Sequence, residues 1–88
     1  MEATTAWHSG NKTVSISSIF EHGGHKFFTH KEGKHWSVAH YPSGYAVVNG
    51  IETRKKCIVL CKQKIDRVEG KNPGGVDQRL NGLPVINK

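Results

Sequence analysis

Residues 35–68 read HWSVAHYPSGYAVVNGIETRKKCIVLCKQKIDRV, and the hydrophobic period changes once within this stretch. In its first part Trp36 and Val38 alternate with small residues, and this period of two predicts a β-strand. In its second part the apolar residues recur with the period of an α-helix, and Thr53 precedes them as a residue suited to cap a helix N-terminus. We therefore expect a strand followed by a helix of roughly 16 residues that ends near Gly70. Its core-facing stripe consists of Cys57, Ile58, Cys61, Ile65 and Val68.

Further strands are predicted on both sides of this first one. β-branched residues and period-two alternation indicate strands over 13–20 and 25–30, beside one over 35–41 and a short one over 45–48. Glycine and proline between these segments indicate tight turns. The predicted fold is α+β: a small antiparallel sheet of three to four strands followed by one packed helix, over residues 13–70. Residues 1–12 are expected to form a flexible N-terminal arm, and 71–88 a loose tail. The apolar patch over 83–86 of this tail is expected to dock on the domain, and a short linear motif is the alternative.

One face of the predicted sheet has to bury the apolar stripe of the helix. We expect Trp36 and Val38 to lie on that face and to form the centre of the core with Cys57, Cys61 and Ile65. The opposite face of the sheet is then expected to be open to water or to a partner.

The charge of the chain favours an anionic partner. The 88 residues have a formal net charge of +6, most of it in the second half of the chain. A basic surface attracts and steers polyanions such as nucleic acids. No apolar run approaches the roughly 20 residues of a membrane-spanning helix, and the first residues do not resemble a secretory signal. We therefore expect a cytoplasmic location.

Histidine and cysteine raise the question of a metal site. The chain has six His and two Cys, but the His spacings match no closed set of four zinc ligands. Cys57 and Cys61 lie on the apolar stripe, where a free cysteine behaves as a small hydrophobic residue. We therefore expect no metal and no other cofactor. The sequence also lacks a nucleophile motif, paired carboxylates and a phosphate-binding loop, so we do not expect an enzyme.

Residues 25–68 resemble a known family of DNA-binding domains. The resemblance rests on HKFF at 25–28, GKHWSV at 33–38, PSGYAVVNGI at 42–51 and TRKK at 53–56. This pattern is similar to the three-stranded sheet plus helix of AP2-like domains, including the arm-type DNA-binding domains of phage integrases. The resemblance implies that an exposed sheet face would lie in the major groove of DNA. Few arginines lie on the strands here, although that family favours arginine for reading bases.

Two interpretations of function follow. In the first, the protein is a small non-enzymatic nucleic-acid-binding accessory protein of a phage or other mobile element. In the second, it is a small phage-type inhibitor or adaptor that binds a host protein, for example one of a host defence system, through the open sheet face or a free edge strand. For the first interpretation, phosphate-binding cations and rings near bases or sugars are expected on the sheet and its turns. The expected nucleic-acid-binding residues are Lys26, Lys31, Lys34, His35, Tyr41 and Tyr45.

Overall fold

The computed structural model describes residues 2–7, 10–16 and 19–87. These residues form an α+β fold with two antiparallel sheets and two helices. The predicted α+β class and the helix packed on an antiparallel sheet are confirmed. The elements in chain order are β1 (Glu2–Trp7), β2 (Gly10–Ser15), β3 (Ile19–His22), β4 (His25–Glu32), β5 (His35–His40), β6 (Ala46–Ile51), α1 (Arg54–Lys71) and α2 (Gly75–Asn81).

Strands β3 to β6 form a four-stranded sheet in sequence order, in which every neighbouring pair is antiparallel. Helix α1 packs across one face of this sheet and buries the larger of two core clusters. Phe27 and Val38 from the sheet and Cys57 and Cys61 from α1 are fully buried there. The expected contact between Trp36 and the helix-facing core is present, although Trp36 is half-buried at the edge of the cluster and is not its centre.

Helix α1 begins where the sequence predicts. Thr53 has an extended backbone conformation, and its side chain accepts a hydrogen bond from the N–H of Lys56. This bond satisfies one of the N–H groups that the first turn of a helix leaves without an intrahelical partner. The predicted stop at Gly70 is one residue early, because the helix continues through Lys71 and is capped at Asn72.

The expectation of an open second sheet face is wrong. The antiparallel hairpin β1–β2 lies on that face, and Ala3 and Ile16 pack against Phe28 and Ala39 in a second buried cluster. A hairpin on its own is at best marginally stable in water, so burial against the sheet stabilises it. Residues 2–7, expected to belong to a flexible arm, are therefore an element of the fold.

Two other expectations about secondary structure also need correction. The single strand expected over 13–20 is divided between β2 and β3, which belong to different sheets. The expected loose tail contains helix α2, whose Val76 and Leu80 are buried in the larger core.

The segment after α2 is held to the rest of the fold by hydrogen bonds. Ile86 and Asn87 donate backbone N–H groups to the carbonyl of Pro42. The side-chain amide of Asn87 bonds to both backbone groups of Thr4 and donates to the carbonyl of Tyr41. Asn87 thus ties strand β1 to the turn that follows β5, as an additional strand residue would do.

Candidate functional site: a groove beside strand β6

Strand β6 forms one edge of the four-stranded sheet, and no described strand pairs with its outer side. Its pairing with β5 is irregular. Ala39 pairs with Ala46, and Val38 pairs with Val48, so Val47 is an extra residue between two pairs. Such a β-bulge bends and twists a strand, and it is a common feature of sheet edges. The side chain of Val47 is buried in the core beneath α1.

A second irregularity follows in the same strand. Trp36 pairs with Ile51, which leaves one more extra residue on β6 near Gly50, whose φ of 68° is favourable for glycine. In addition, Lys64 of α1 donates a 2.9 Å hydrogen bond from Nζ to the carbonyl of Val47. The outer side of β6 is therefore a poor template for a long regular β-ladder, and a partner there would be held mainly by side-chain contacts.

Two neighbouring clefts lie between β6 and the helices, and we call them together the β6 groove. Val47 and Lys64, which are joined by the hydrogen bond above, line both of these halves. The half nearer α2 has a volume of about 440 Å³ and is mostly apolar; it is lined by Tyr45, Val47, Lys64, Ile65, Val68, Val76, Arg79, Leu80 and Leu83. The half along α1 has a volume of about 300 Å³ and is lined by Val47, Val48, Leu60, Gln63, Lys64 and Arg67.

The side of α1 that borders this groove is cationic. Seven of the 18 residues of α1 are Lys or Arg and two are Asp or Glu, so the helix has a net charge of +5 out of +6 for the chain. At about 100° per residue, four of these cations fall within about 80° of one another on the side of Leu60 and Gln63. We call this set the cationic flank; its members are Lys56, Lys64, Arg67 and Lys71.

The two acidic residues of α1 lie away from the cationic flank. Asp66 is on the side that faces β3, where its carboxylate is 2.8 Å from Nε2 of His22. Glu69 accepts a 2.7 Å hydrogen bond from the backbone N–H of Gly74. Neither carboxylate neutralises the cations beside the β6 groove. The positive potential of these cations can therefore attract an acidic partner.

A pair of histidines lies next to the α2 half of the groove. The rings of His25 and His40 are 5.7 Å apart, and Nε2 of His25 is 2.6 Å from the carboxylate of Asp77 on α2. Nδ1 of His40 is hydrogen-bonded to the hydroxyl of Ser43, which also accepts from the backbone N–H of Tyr45. Burial, and secondly the neighbouring His25, lower the pKa of His40 from 6.5 to about 4, so its imidazole is neutral at pH 7.

This histidine cluster connects two walls of the β6 groove. Asp77 belongs to the helix that supplies Arg79 and Leu80 to the groove, while Ser43 holds the backbone of Tyr45. Ser43 itself is buried, with 4% of its surface exposed, so its hydroxyl is not accessible as a nucleophile. The arrangement positions groove residues and does not form an exposed catalytic dyad.

The six residues expected to bind nucleic acid do not share one surface. The side chains of β4 alternate between faces, which places Lys26 on the hairpin side and Lys31 on the α1 side. Lys31 lies over Trp36, with Nζ 6.0 Å from the ring centroid. Lys34 and His35 are exposed at and after the turn between β4 and β5.

The two tyrosines of the set are also apart. Tyr41 is half-buried against the second core cluster, where its ring meets that of Phe28 edge-on at 6.0 Å. Tyr45 is 54% exposed and lines the β6 groove. Of the six expected residues, the structure therefore brings Tyr45 into the candidate site. The sequence contained one signal for the cationic flank, because Lys56 and Arg67 lie at nearly the same azimuth on the helical wheel. It contained no local pattern that indicated the α2 half of the groove.

The cysteines are buried, as expected for members of the apolar stripe. Burial raises the pKa of Cys57 to about 11 and that of Cys61 to about 12. Both thiols are thus protonated and poor ligands or nucleophiles at neutral pH. Within residues 2–7, 10–16 and 19–87, no group of three or more His, Cys, Asp or Glu is arranged to hold a metal ion. That the protein has no metal remains a prediction.

Comparison with known proteins identified no matching family model, no matching curated protein and no matching solved structure. In the part of the chain that the structure describes, neither helix has the length and apolar character needed to cross a membrane.

Proposed function

We propose that this protein is a small binding protein, without catalytic activity of its own, that captures an acidic segment of a partner protein in the β6 groove. The observation that supports this most is the cationic flank, because its Lys64 and Arg67 line the β6 groove while both acidic residues of α1 lie on other sides of the helix. Complementary charge speeds encounter and selects the partner, while burial of apolar surface retains it. An inhibitor or adaptor of a host protein, the second interpretation of the sequence, would work in this way.

Two features favour a protein segment over duplex nucleic acid. The sheet face that AP2-like domains insert into DNA is covered here by the β1–β2 hairpin. The β6 groove is mostly apolar in its larger half, with Tyr45 as an exposed ring. Nucleic-acid surfaces depend on phosphate contacts along a basic track and on several stacking rings, whereas apolar clefts suit aliphatic side chains.

The test uses a defined probe. A fluorescein-labelled ten-residue peptide in which Glu alternates with Val and Leu is titrated with the protein at about 50 mM and about 300 mM NaCl, and fluorescence anisotropy is measured. We expect binding that weakens several-fold at the higher salt, because screening shortens the reach of exposed charges. A peptide with Lys in place of each Glu should not bind.

A matched pair of variants locates the surface. Lys56→Glu with Arg67→Glu reverses two charges on the cationic flank and should weaken peptide binding at least tenfold. Lys55→Glu with Lys62→Glu makes the same change in net charge on the opposite side of α1 and should weaken it less than threefold. Equal losses of affinity in both variants would show that the peptide responds to the net charge of the protein and does not bind at the β6 groove.

The same assay tests whether the protein binds nucleic acid more tightly than it binds the acidic peptide. A labelled 20-base-pair duplex and a ten-nucleotide thymidine strand are titrated in parallel at equal salt. If either binds more tightly than the acidic peptide, and if replacing Lys26, Lys31 and Lys34 with Ala abolishes that binding, the proposal is wrong and the first interpretation of the sequence replaces it. Binding through those three lysines would lose affinity with salt at a slope of roughly −3 in logarithmic units.

A further inference from the structure

The chain contains two Asn-Gly dipeptides, Asn49–Gly50 in β6 and Asn81–Gly82 at the end of α2. Asparagine is a thermolabile residue, because the backbone nitrogen of the next residue can attack its side-chain carbonyl carbon. Glycine in the next position favours this attack, since it has no side chain to hinder it and its backbone is unusually free. Both dipeptides lie between aliphatic residues, so a difference in their reactivity has to come from the fold.

Asn49 and Gly50 lie in the second irregularity of β6, where the two residues together face Ser37 alone on β5. Both are exposed, and no described strand pairs with the outer side of β6. Gly50 has a φ of 68°, and a Cβ built on it would meet no atom within 4 Å. A bulge at an exposed sheet edge interrupts the regular ladder, and such regions open locally at little cost in free energy. The nitrogen of Gly50 can therefore reach the side chain of Asn49 through a small local movement.

Asn81 and Gly82 are exposed as well, but helix α2 restrains them. Asn81 is the last residue of the helix, and the backbone N–H of Gly82 is hydrogen-bonded to the carbonyl of Leu80. A Cβ built on Gly82 would lie 3.2 Å from the carbonyl oxygen of Gln78, so this backbone packs closely on the last helical turn. Attack on the Asn81 side chain requires that turn to unwind, although Leu80 anchors it in the larger core.

We infer that Asn49 is a site of spontaneous deamidation in the folded protein and that Asn81, in the same dipeptide, is protected. The nitrogen of Gly50 loses its proton and forms a bond to Cγ of Asn49. The bond between Cγ and the side-chain nitrogen breaks, and ammonia leaves. Water then opens the cyclic succinimide at one of its two carbonyl carbons, which gives aspartate or isoaspartate. Water is the one co-reactant of the sequence.

Either product places a carboxylate on β6 directly after Val48, which lines the α1 half of the β6 groove. The formal net charge of +6 falls by one. Isoaspartate also routes the main chain through the side-chain carbon and lengthens it at the bulge. The consequence for binding rests on the proposed function: the acidic peptide should bind the deamidated protein about two- to threefold more weakly at low salt, because a like charge opposes it.

The experiment compares the two dipeptides within one molecule. The full chain is incubated at about pH 8 in water enriched in oxygen-18, once folded and once in about 6 M guanidinium chloride, and mass spectrometry follows the uptake of the heavy oxygen. Trypsin cleavage after Lys34 and Arg54 places Asn49 in a peptide without another asparagine, and cleavage after Arg79 separates Asn81 from it. Digestion at about pH 5 in ordinary water keeps later reaction out of the measurement.

In denaturant the two asparagines should react at similar rates, since their neighbours are alike. In the folded protein Asn49 should react at least about tenfold faster than Asn81, because its opening is local. Asn49→Gln should abolish the uptake in the first peptide and leave that at Asn81 unchanged. If folding slows both asparagines to the same extent, deamidation requires global unfolding and the inference is wrong. If Asn81 reacts faster than Asn49, the structural reasoning is wrong as well.

The anisotropy assay with the acidic peptide tests the consequence separately. Asn49→Asp carries the charge of one product and should weaken the peptide about two- to threefold. If this variant and the wild type bind the peptide equally, deamidation does not affect the β6 groove. If the peptide binds neither protein, the proposed function fails, while the oxygen-18 measurement still decides whether Asn49 is the modification site.

Discussion

Acidification should destabilise the fold through His40, and the size of the effect follows from its surroundings. His40 is 4% exposed, and burial together with the nearby His25 lowers its pKa from 6.5 to about 4. The folded state therefore binds a proton at His40 less readily than the unfolded state does. A group of this kind stabilises the fold fully above pH 6.5, and its contribution is lost as the pH falls towards 4. Between pH 7.5 and pH 5, linkage gives a loss of about 2 kcal/mol from this one residue.

Urea denaturation followed by tryptophan fluorescence and circular dichroism measures this loss. The free energy of unfolding is determined at pH 7.5 and at pH 5 for the wild type and for His40→Gln, which has no titrating ring. The decrease in the wild type should exceed that in His40→Gln by about 2 kcal/mol, even if the variant is less stable at both values. The contributions of titrating groups that do not interact with His40 cancel in the comparison, whereas the interaction between His25 and His40 is removed together with the His40 ring.

His35→Gln provides the control, since His35 begins the same strand but is exposed. Its pH dependence should match that of the wild type. If His40→Gln loses as much stability between pH 7.5 and pH 5 as the wild type does, His40 is not held neutral by the fold, and the reasoning from its burial is refuted.

Three other predictions concern core packing, the side-chain hydrogen bonds of Asn87 near the end of the chain, and the buried thiols. Phe27 is fully buried in the larger core while Trp36 is at its edge, so Phe27→Ala should cost about 3–5 kcal/mol and Trp36→Ala clearly less; equal losses in urea denaturation would contradict this. Asn87→Ala removes three hydrogen bonds of 2.6–2.8 Å and should lower the free energy of unfolding by about 1–3 kcal/mol. Hydrogen exchange of the Thr4 amide should become faster; an unchanged exchange rate would show that these hydrogen bonds do not hold strand β1 in place. Burial raises the pKa of Cys61 to about 12, so Ellman's reagent should label it at pH 8 only as fast as the protein unfolds; labelling at the rate of a free thiol would rule out its burial.

The elements built from local patterns could be predicted from the sequence. Period-two alternation around Trp36 and Val38 indicated β5, and the 3.6-residue stripe behind Thr53 indicated α1 with its cap, because these signals depend on backbone geometry and solvent exposure within one segment. The burial of Cys57 and Cys61 followed from the same stripe. The excess of positive charge on α1 was also visible in the sequence.

The tertiary structure decided which surfaces remain available. Residues 2–7 give no strong local signal, and only their contact with Phe28 and Ala39 makes them a strand that closes the second sheet face. Helix α2 is seven residues long, too short to be stable without packing, so no periodicity could reveal it. The hairpin closes the sheet face that was expected to be open. Helix α2 adds a wall beside the edge strand, because Val76, Arg79 and Leu80 line the β6 groove. Contacts between residues far apart in the chain are set by packing of whole elements, and a single sequence does not encode them in any local pattern.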